Sequence, residues 1–136
     1  MVLDSSAVLA ILQNEPERRA FNEAIEAAVT CSMSVASFVE CSMIVESRFG
    51  ADGVRNLDFF IAKAQIALIS VDIEQAHLAR QAFRLYGKGR HSAGLNFGDC
   101  FAYALARASN KPLLFKGNDF IQCDIECHSA SSSAAS

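Results

Sequence analysis

The chain has 136 residues, half of them apolar and a fifth charged, with a net charge of −3. That length fits one domain able to bury roughly two-thirds of its unfolded surface. The acidic balance argues against a protein that coats polyanions by charge alone, and no apolar run reaches the ~18 residues that suggest a membrane helix.

The opening MVLD reads as a short buried strand, and SSAVLAILQN as a helix apolar on nearly every side. Asp4 so near the start, with no basic flank, argues against a signal peptide, so a cytoplasmic protein is expected. Asn14, Pro16 and Glu17 have the pattern of a helix start, and Phe21, Ile25, Ala28 and Val29 fall on one face of the helix that follows. From Thr30 to Val35, Cys31, Met33 and Val35 alternate with Thr30, Ser32 and Ser34, the period of a strand. From Ala36 the period turns helical. Phe38, Ser42, Val45 and Phe49 share a face that ends at Gly50, and Val54, Leu57, Ile61 and Ala64 mark a fourth helix.

IALISV predicts a strand, and Asp72 with Gln75 predicts a capped helix start. Ala76, Ala79, Phe83 and Tyr86 are expected to face the core, with Gly87 ending the helix. Lys88 to Gly98 reads as a glycine-rich loop. A helix from about Asp99 to Ser109, the strand PLLF, a short turn of helix and a brief strand near Ile125 complete the body. Strands separated by helices predict an α/β fold, a parallel sheet with helices on both faces. The domain is expected to span 1–127, with HSASSSAAS (128–136) as a low-complexity, mobile tail. Five cysteines cannot all pair and none forms a CxxC; free thiols packed as small apolar residues explain them.

Four acids stand where strands give way to helices: Asp4, Glu40, Asp99 and Asp119. In an open α/β sheet, ligands bind beyond the carboxyl ends of the strands. Carboxylates gathered there make a hard oxygen site suited to Mg²⁺ or Mn²⁺. Singly, each acid is explained as a helix cap; the set favours a metal site and phosphodiester hydrolysis. Glu40 lies in the mostly apolar SVASFVECSMIVE, where burial without a cation is costly.

Basic residues cluster at Arg80, Arg84, Lys88, Arg90 and His91, followed by Arg107, Lys111 and Lys116. They form either a solvated face or a guide for substrate phosphates, for which Arg84, Lys88, Arg90 and Lys116 are the candidates. Other motifs are absent. There is no GxxxxGK[ST] and no GxGxxG; GRHSAG misses the GxSxG spacing, leaving Ser92 as a loop serine; His77 reads as a surface residue, and the histidines have no zinc-ligand spacing.

MVLDSSAVLAIL, VASFVE, LNFGDCFAYALA and KPLLFKGNDF together resemble PIN-domain proteins, and more narrowly the VapC toxins of type II toxin–antitoxin pairs. The likeness runs from Met1 to about Ile125. It implies a three-layer α/β/α fold and a Mg²⁺- or Mn²⁺-dependent endoribonuclease. It also implies a VapB-like antitoxin partner, with a homodimer or a hetero-oligomer as the assembly. Asp4 matches the family's first metal ligand and Asp99 its second. Glu40 matches the acid on the third helix and Asp119 the carboxy-terminal acid, both acting through water or at a second ion. Ser6 matches the small hydroxyl residue near the first acid, and Asn118 sits beside Asp119. One departure is that Phe115 and Gly117 stand where many relatives carry polar residues. Two other readings compete: a DNA or structure-specific nuclease using the same site, and a non-enzymatic α/β interaction module whose acids only cap helices.

Overall fold

A computed structural model describes residues 1–131. Its elements are β1 (Val2–Leu3), α1 (Ser5–Leu12), α2 (Arg18–Ala27), β2 (Cys31–Ser34), α3 (Val35–Lys63), β3 (Ile66–Ile69), α4 (Ile73–Tyr86), α5 (Phe97–Ser109) and β4 (Leu113–Leu114). The strands form one parallel sheet in the order β3-β2-β1-β4. Val2 pairs with Ser32 on one side and Leu113 on the other, and Leu3 pairs with Leu114.

The pleat of β1 separates two cores. Leu3 and Leu114 point into a cluster with Val8, Phe21, Met33, Val45 and Leu57, from the first three helices and β2. Val2 and Leu113 point the other way, to Ala79, Ala82, Leu95, Tyr103, Phe115 and Phe120. Burial on both faces explains why the central β1 and its neighbour β4 are apolar without alternation, as a covered parallel sheet requires. The expected three layers are present. Gly50, at φ 66° and ψ −149°, breaks α3 where the periodicity predicted a helix end.

Several local expectations change. Asn14 does not cap α2; it adopts a left-handed φ of 54° and accepts a hydrogen bond from Arg18, while Glu17 precedes the helix without a side-chain cap. Val29 lies past the extended Ala28 and is fully exposed. Val35 opens α3 rather than closing β2, because the Ser34 hydroxyl takes the Ala36 N–H. On α4 the buried residues are Gln75, Ala79 and Ala82, whereas Ala76 and Phe83 face outward. Small residues let α4 approach α5 closely, and the displaced Phe83 ring carries the Arg90 guanidinium 5.2 Å from its centroid. Gly87 ends α4 at an ordinary φ of −67°; what it supplies is space, since a Cβ would lie 2.4 Å from the Phe83 carbonyl oxygen.

Near the end of the chain, α5 starts at Phe97, two residues earlier than predicted, because Asn96 caps it. The segment 116–126 contains turns in place of the expected helical turn, and the last strand is reduced to a single bridge between Leu113 and Cys127. The tail read as starting at His128 docks for its first four residues. The His128 N–H donates to the Leu113 carbonyl, and the Ser131 hydroxyl links the Leu113 carbonyl to the Phe115 N–H. Residues 132–136, on which the expectation of mobility also falls, lie outside the described residues. All five cysteines are free, three of them buried. Among the described residues no helix is long and apolar enough to cross a membrane.

Candidate active site

Asp4 follows β1 directly and caps α1: its Oδ2 accepts the Ser6 N–H at 3.0 Å. The residue is only 2 % exposed, and its second oxygen, Oδ1, is buried without a hydrogen-bond partner. Capping uses one oxygen and leaves the other without a hydrogen-bond partner. Burial pushes the Asp4 carboxyl up to about 6, the nearby Glu40 and Asp119 charges adding to the rise while Ser6 opposes it. The Ser6 hydroxyl also accepts the Lys116 N–H at 3.0 Å, tying the start of α1 to the segment after β4.

Asp99 enters the same edge from α5. It is the third residue of the helix and completes a capping box with Asn96, the Asn96 N–H reaching Asp99 Oδ2 at 3.1 Å. It is 7 % exposed. Desolvation first, then the Asp4 charge and a hydrogen bond shared with the Asp119 side chain, push its carboxyl up to about 8, against the pull of Asn96. Asp119 itself is exposed at the rim, and Asn118 is exposed beside it.

Glu40, on α3, joins the group in a different way from that expected. It is half-buried, and Ser5 donates its hydroxyl to Oε1 at 2.5 Å. The uncompensated burial anticipated for Glu40 falls instead on Asp4 and Asp99. Two residues of this corner escaped the sequence reading: Ser5, and Gly98, whose backbone abuts the Glu40 carboxylate. A glycine in the first turn of a helix, immediately before an acid, was the available signal.

The proposed phosphate guide divides. Arg84, Lys88 and Arg90 are exposed at the end of α4 and in the loop that leads to Asn96. Lys116 is not available as a guide: its ammonium is paired with Glu15 at 2.5 Å and Glu17 at 3.0 Å, which hold its pKa above the usual value. Ser92 donates to Gln122 at 2.7 Å, an ordinary loop contact. A surface groove of about 740 Å³, lined by Ile25, Val29, Phe60 and Lys63 among others, lies at the amino ends of β2 and β3, away from the acids.

Among the described residues no three His, Cys, Asp or Glu side chains stand converged as a ready-made metal cage. The donor set nonetheless fits a hard cation. It is all carboxylate, two members are buried, one buried oxygen is orphaned, and none of the ion pairs described involves Asp4 or Asp99.

A parallel α/β/α sheet with acids gathered at its carboxyl edge defines a class, and the PIN-domain family model matches residues 1–126. The chain belongs to the PIN-domain family. Its relatives there include Ribonuclease VapC30 of Mycobacterium tuberculosis and Ribonuclease VapC of Mycolicibacterium smegmatis. Each is 50% identical over 125 residues, covering 92% of this chain and 95% and 97% of the relative respectively. Among solved structures, the Mycobacterium tuberculosis toxin VapC20, described as cleaving the sarcin–ricin loop, superposes with a TM-score of 0.70 at 15% identity. The match covers 91% of this chain and 95% of that one, a likeness of fold alone.

Proposed function

We propose that this protein is a ribonuclease toxin of the VapC kind, which hydrolyses RNA phosphodiester bonds with a Mg²⁺ or Mn²⁺ ion held by Asp4 and Asp99. The observation that carries the metal reading is the buried, partnerless Asp4 Oδ1 beside a second buried acid. Bound there, the ion supplies a hydrolytic water of lowered pKa and offsets charge building on the phosphate. The chain's own residues supply the rest. The cap bonds from Ser6 and Asn96 fix how Asp4 and Asp99 point. The Ser5 hydroxyl fixes Glu40, which orients groups at the edge of the pair. Asp119, whose side chain hydrogen-bonds that of Asp99, would complete the group at its exposed rim. Arg84, Lys88 and Arg90 draw in the RNA backbone.

A VapB-like antitoxin is the partner in this reading. Its inhibitory segment is expected to lay an Arg or Lys among the carboxylates, replacing the ion's charge and closing the site to substrate. RNA and antitoxin share the cytoplasm, where we place the protein. The deciding experiment incubates purified protein with RNA and with DNA of matched sequence, in Mn²⁺ and in chelator, and sequences the new 5′ ends. Endonucleolytic cuts in RNA that need the ion are expected. Cutting of DNA alone would favour the structure-specific nuclease, and cleavage undiminished by chelator would remove the ion from the mechanism. Calorimetry with Mn²⁺ showing no site-specific binding would favour a non-enzymatic module.

A further inference from the structure

Glu40 is caught between the two helix starts that carry the buried acids. Ser5, the residue after Asp4, donates its hydroxyl to Glu40 Oε1. Gly98, the residue before Asp99, lies so close that a Cβ there would sit 2.2 Å from Glu40 Oε2 and 2.8 Å from Oε1. The backbone does not ask for glycine at this point. Gly98 lies in the first turn of α5 and is not among the glycines with positive φ. Helix propensity favours alanine over glycine, so local preference works against the residue present. What glycine provides is room for a carboxylate from another helix.

We infer that Gly98 and Ser5 are positioning residues that act through Glu40, clamping its carboxylate between the amino ends of α1 and α5. The inference rests on the ribonuclease reading above, in which Glu40 serves the reaction. The clamp explains how an acid on a flexible side chain keeps one orientation beside Asp4 and Asp99. It also gives α1 and α5 a common strut, since the same carboxylate touches the neighbour of each buried acid. The obstacle to a methyl group at Gly98 is the far end of a side chain, not backbone. Gly98→Ala is therefore expected to fold normally and to push Glu40 aside.

The test compares RNA cleavage in Mn²⁺ by wild type, Gly98→Ala, Glu40→Asp and the double variant. Melting temperature in chelator and a crystal structure of Gly98→Ala accompany it. Gly98→Ala is expected to lower kcat by about tenfold to a hundredfold, the cost of misplacing a group by roughly an ångström. KM should stay unchanged, and the melting temperature should be no lower than wild type. Glu40→Asp retracts the carboxylate by one methylene, so it should cost activity alone yet restore activity to Gly98→Ala. The crystal structure should show Glu40 rotated off Ser5. Wild-type kcat in Gly98→Ala, a lowered melting temperature that accounts for the loss, or no recovery in the double variant would overturn the clamp. If wild type cleaves no RNA, the functional reading fails, and the Glu40–Ser5 contact in the Gly98→Ala crystal decides the clamp alone: retained, it is overturned.

Discussion

Asp4 and Asp72 do the same local job at two places along the edge of the sheet. Each lies just past a strand and caps a helix: Asp4 Oδ2 takes the Ser6 N–H at 3.0 Å, and Asp72 Oδ1 takes the Gln75 N–H at 2.8 Å. Asp72 is exposed, and water reaches its charge. Asp4 is buried, with one oxygen left over. Neutral caps serve as well at the same edge, as Ser34 and Asn96 show. A negative charge at Asp4 is therefore more than a cap needs, and burying it unpaired destabilises the fold. Capping and metal binding are not rival explanations for Asp4: one oxygen caps the helix, and on the proposed reading the other serves the ion.

The largest effect that could break this contrast is on activity. Asp4→Asn and Asp99→Asn keep size and hydrogen bonding but remove the anionic ligand. Each is expected to lower RNA cleavage by more than about a hundredfold, since even the partners of metal ligands are worth 10–100-fold. A folded variant that cleaves at near wild-type rate would reduce that acid to a cap.

A second outcome sharpens the contrast through stability. In chelator, Asp99→Asn should melt above wild type, because it removes a buried acid that must either repel Asp4 or be held protonated. Added Mn²⁺ should stabilise wild type by about 2.7 kcal/mol at a hundredfold excess over its Kd, and the variant by much less, so the two melting curves approach or cross. Equal responses to Mn²⁺ would take Asp99 out of the ligand set.

A third, smaller effect is the pH dependence of the metal-free protein. Unfolded aspartates lose their protons near pH ~4, whereas folded Asp4 and Asp99 keep theirs to about 6 and about 8. Between these limits the folded state binds more protons. Stability in chelator therefore falls as pH rises through that window and levels off above it, at about 1.4 kcal/mol per pH unit for each extra proton held. Denaturant titrations at pH 5, 7 and 9 would measure this, and Asp99→Asn should lose the upper part of the fall. Stability rising over the same range would contradict the assignment. The smallest effect belongs to Asp72→Asn, where asparagine caps as well as aspartate. Activity and melting temperature should both stay at wild type, and a loss of cleavage would extend the site to β3.

The strand-end acids were legible because a parallel sheet brings its carboxyl ends to one edge whatever the details of packing. Asp4 fits that description; Asp99 does not, since α5 follows α4 and a loop with no strand between them, and it was singled out through the resemblance of LNFGDCFAYALA. Features that depend on distant partners were not legible. Lys116 looked like a free cation because Glu15 and Glu17, its partners, lie about a hundred residues earlier in the chain. Gly98 looked like a loop glycine because its reason is a side chain on α3. Glu40 looked buried because its neighbours in sequence are apolar, yet the Ser5 hydroxyl meets it. On α4 the expected Ala79 is buried, but Phe83 was taken for core because it outweighs alanine in hydrophobicity, while close helix contact selects for Ala79 and Ala82.

The strand order has a consequence in time. β4 is the neighbour of β1, so the first strand waits for a partner from near the far end of the chain, and Asp119 follows just after it. Ribosomes add roughly 5–20 residues per second, and amino-terminal segments organise first. Once Asp99 has been added, the growing polypeptide carries Asp4, Glu40 and Asp99 while β1 still lacks its β4 neighbour. Such an intermediate should be catalytically silent, which protects the message being read and leaves time for an inhibitor to be at hand. Nascent chains stalled before Leu113 are expected to cut no RNA, and cleavage by them would show that the sheet matures earlier than its topology dictates.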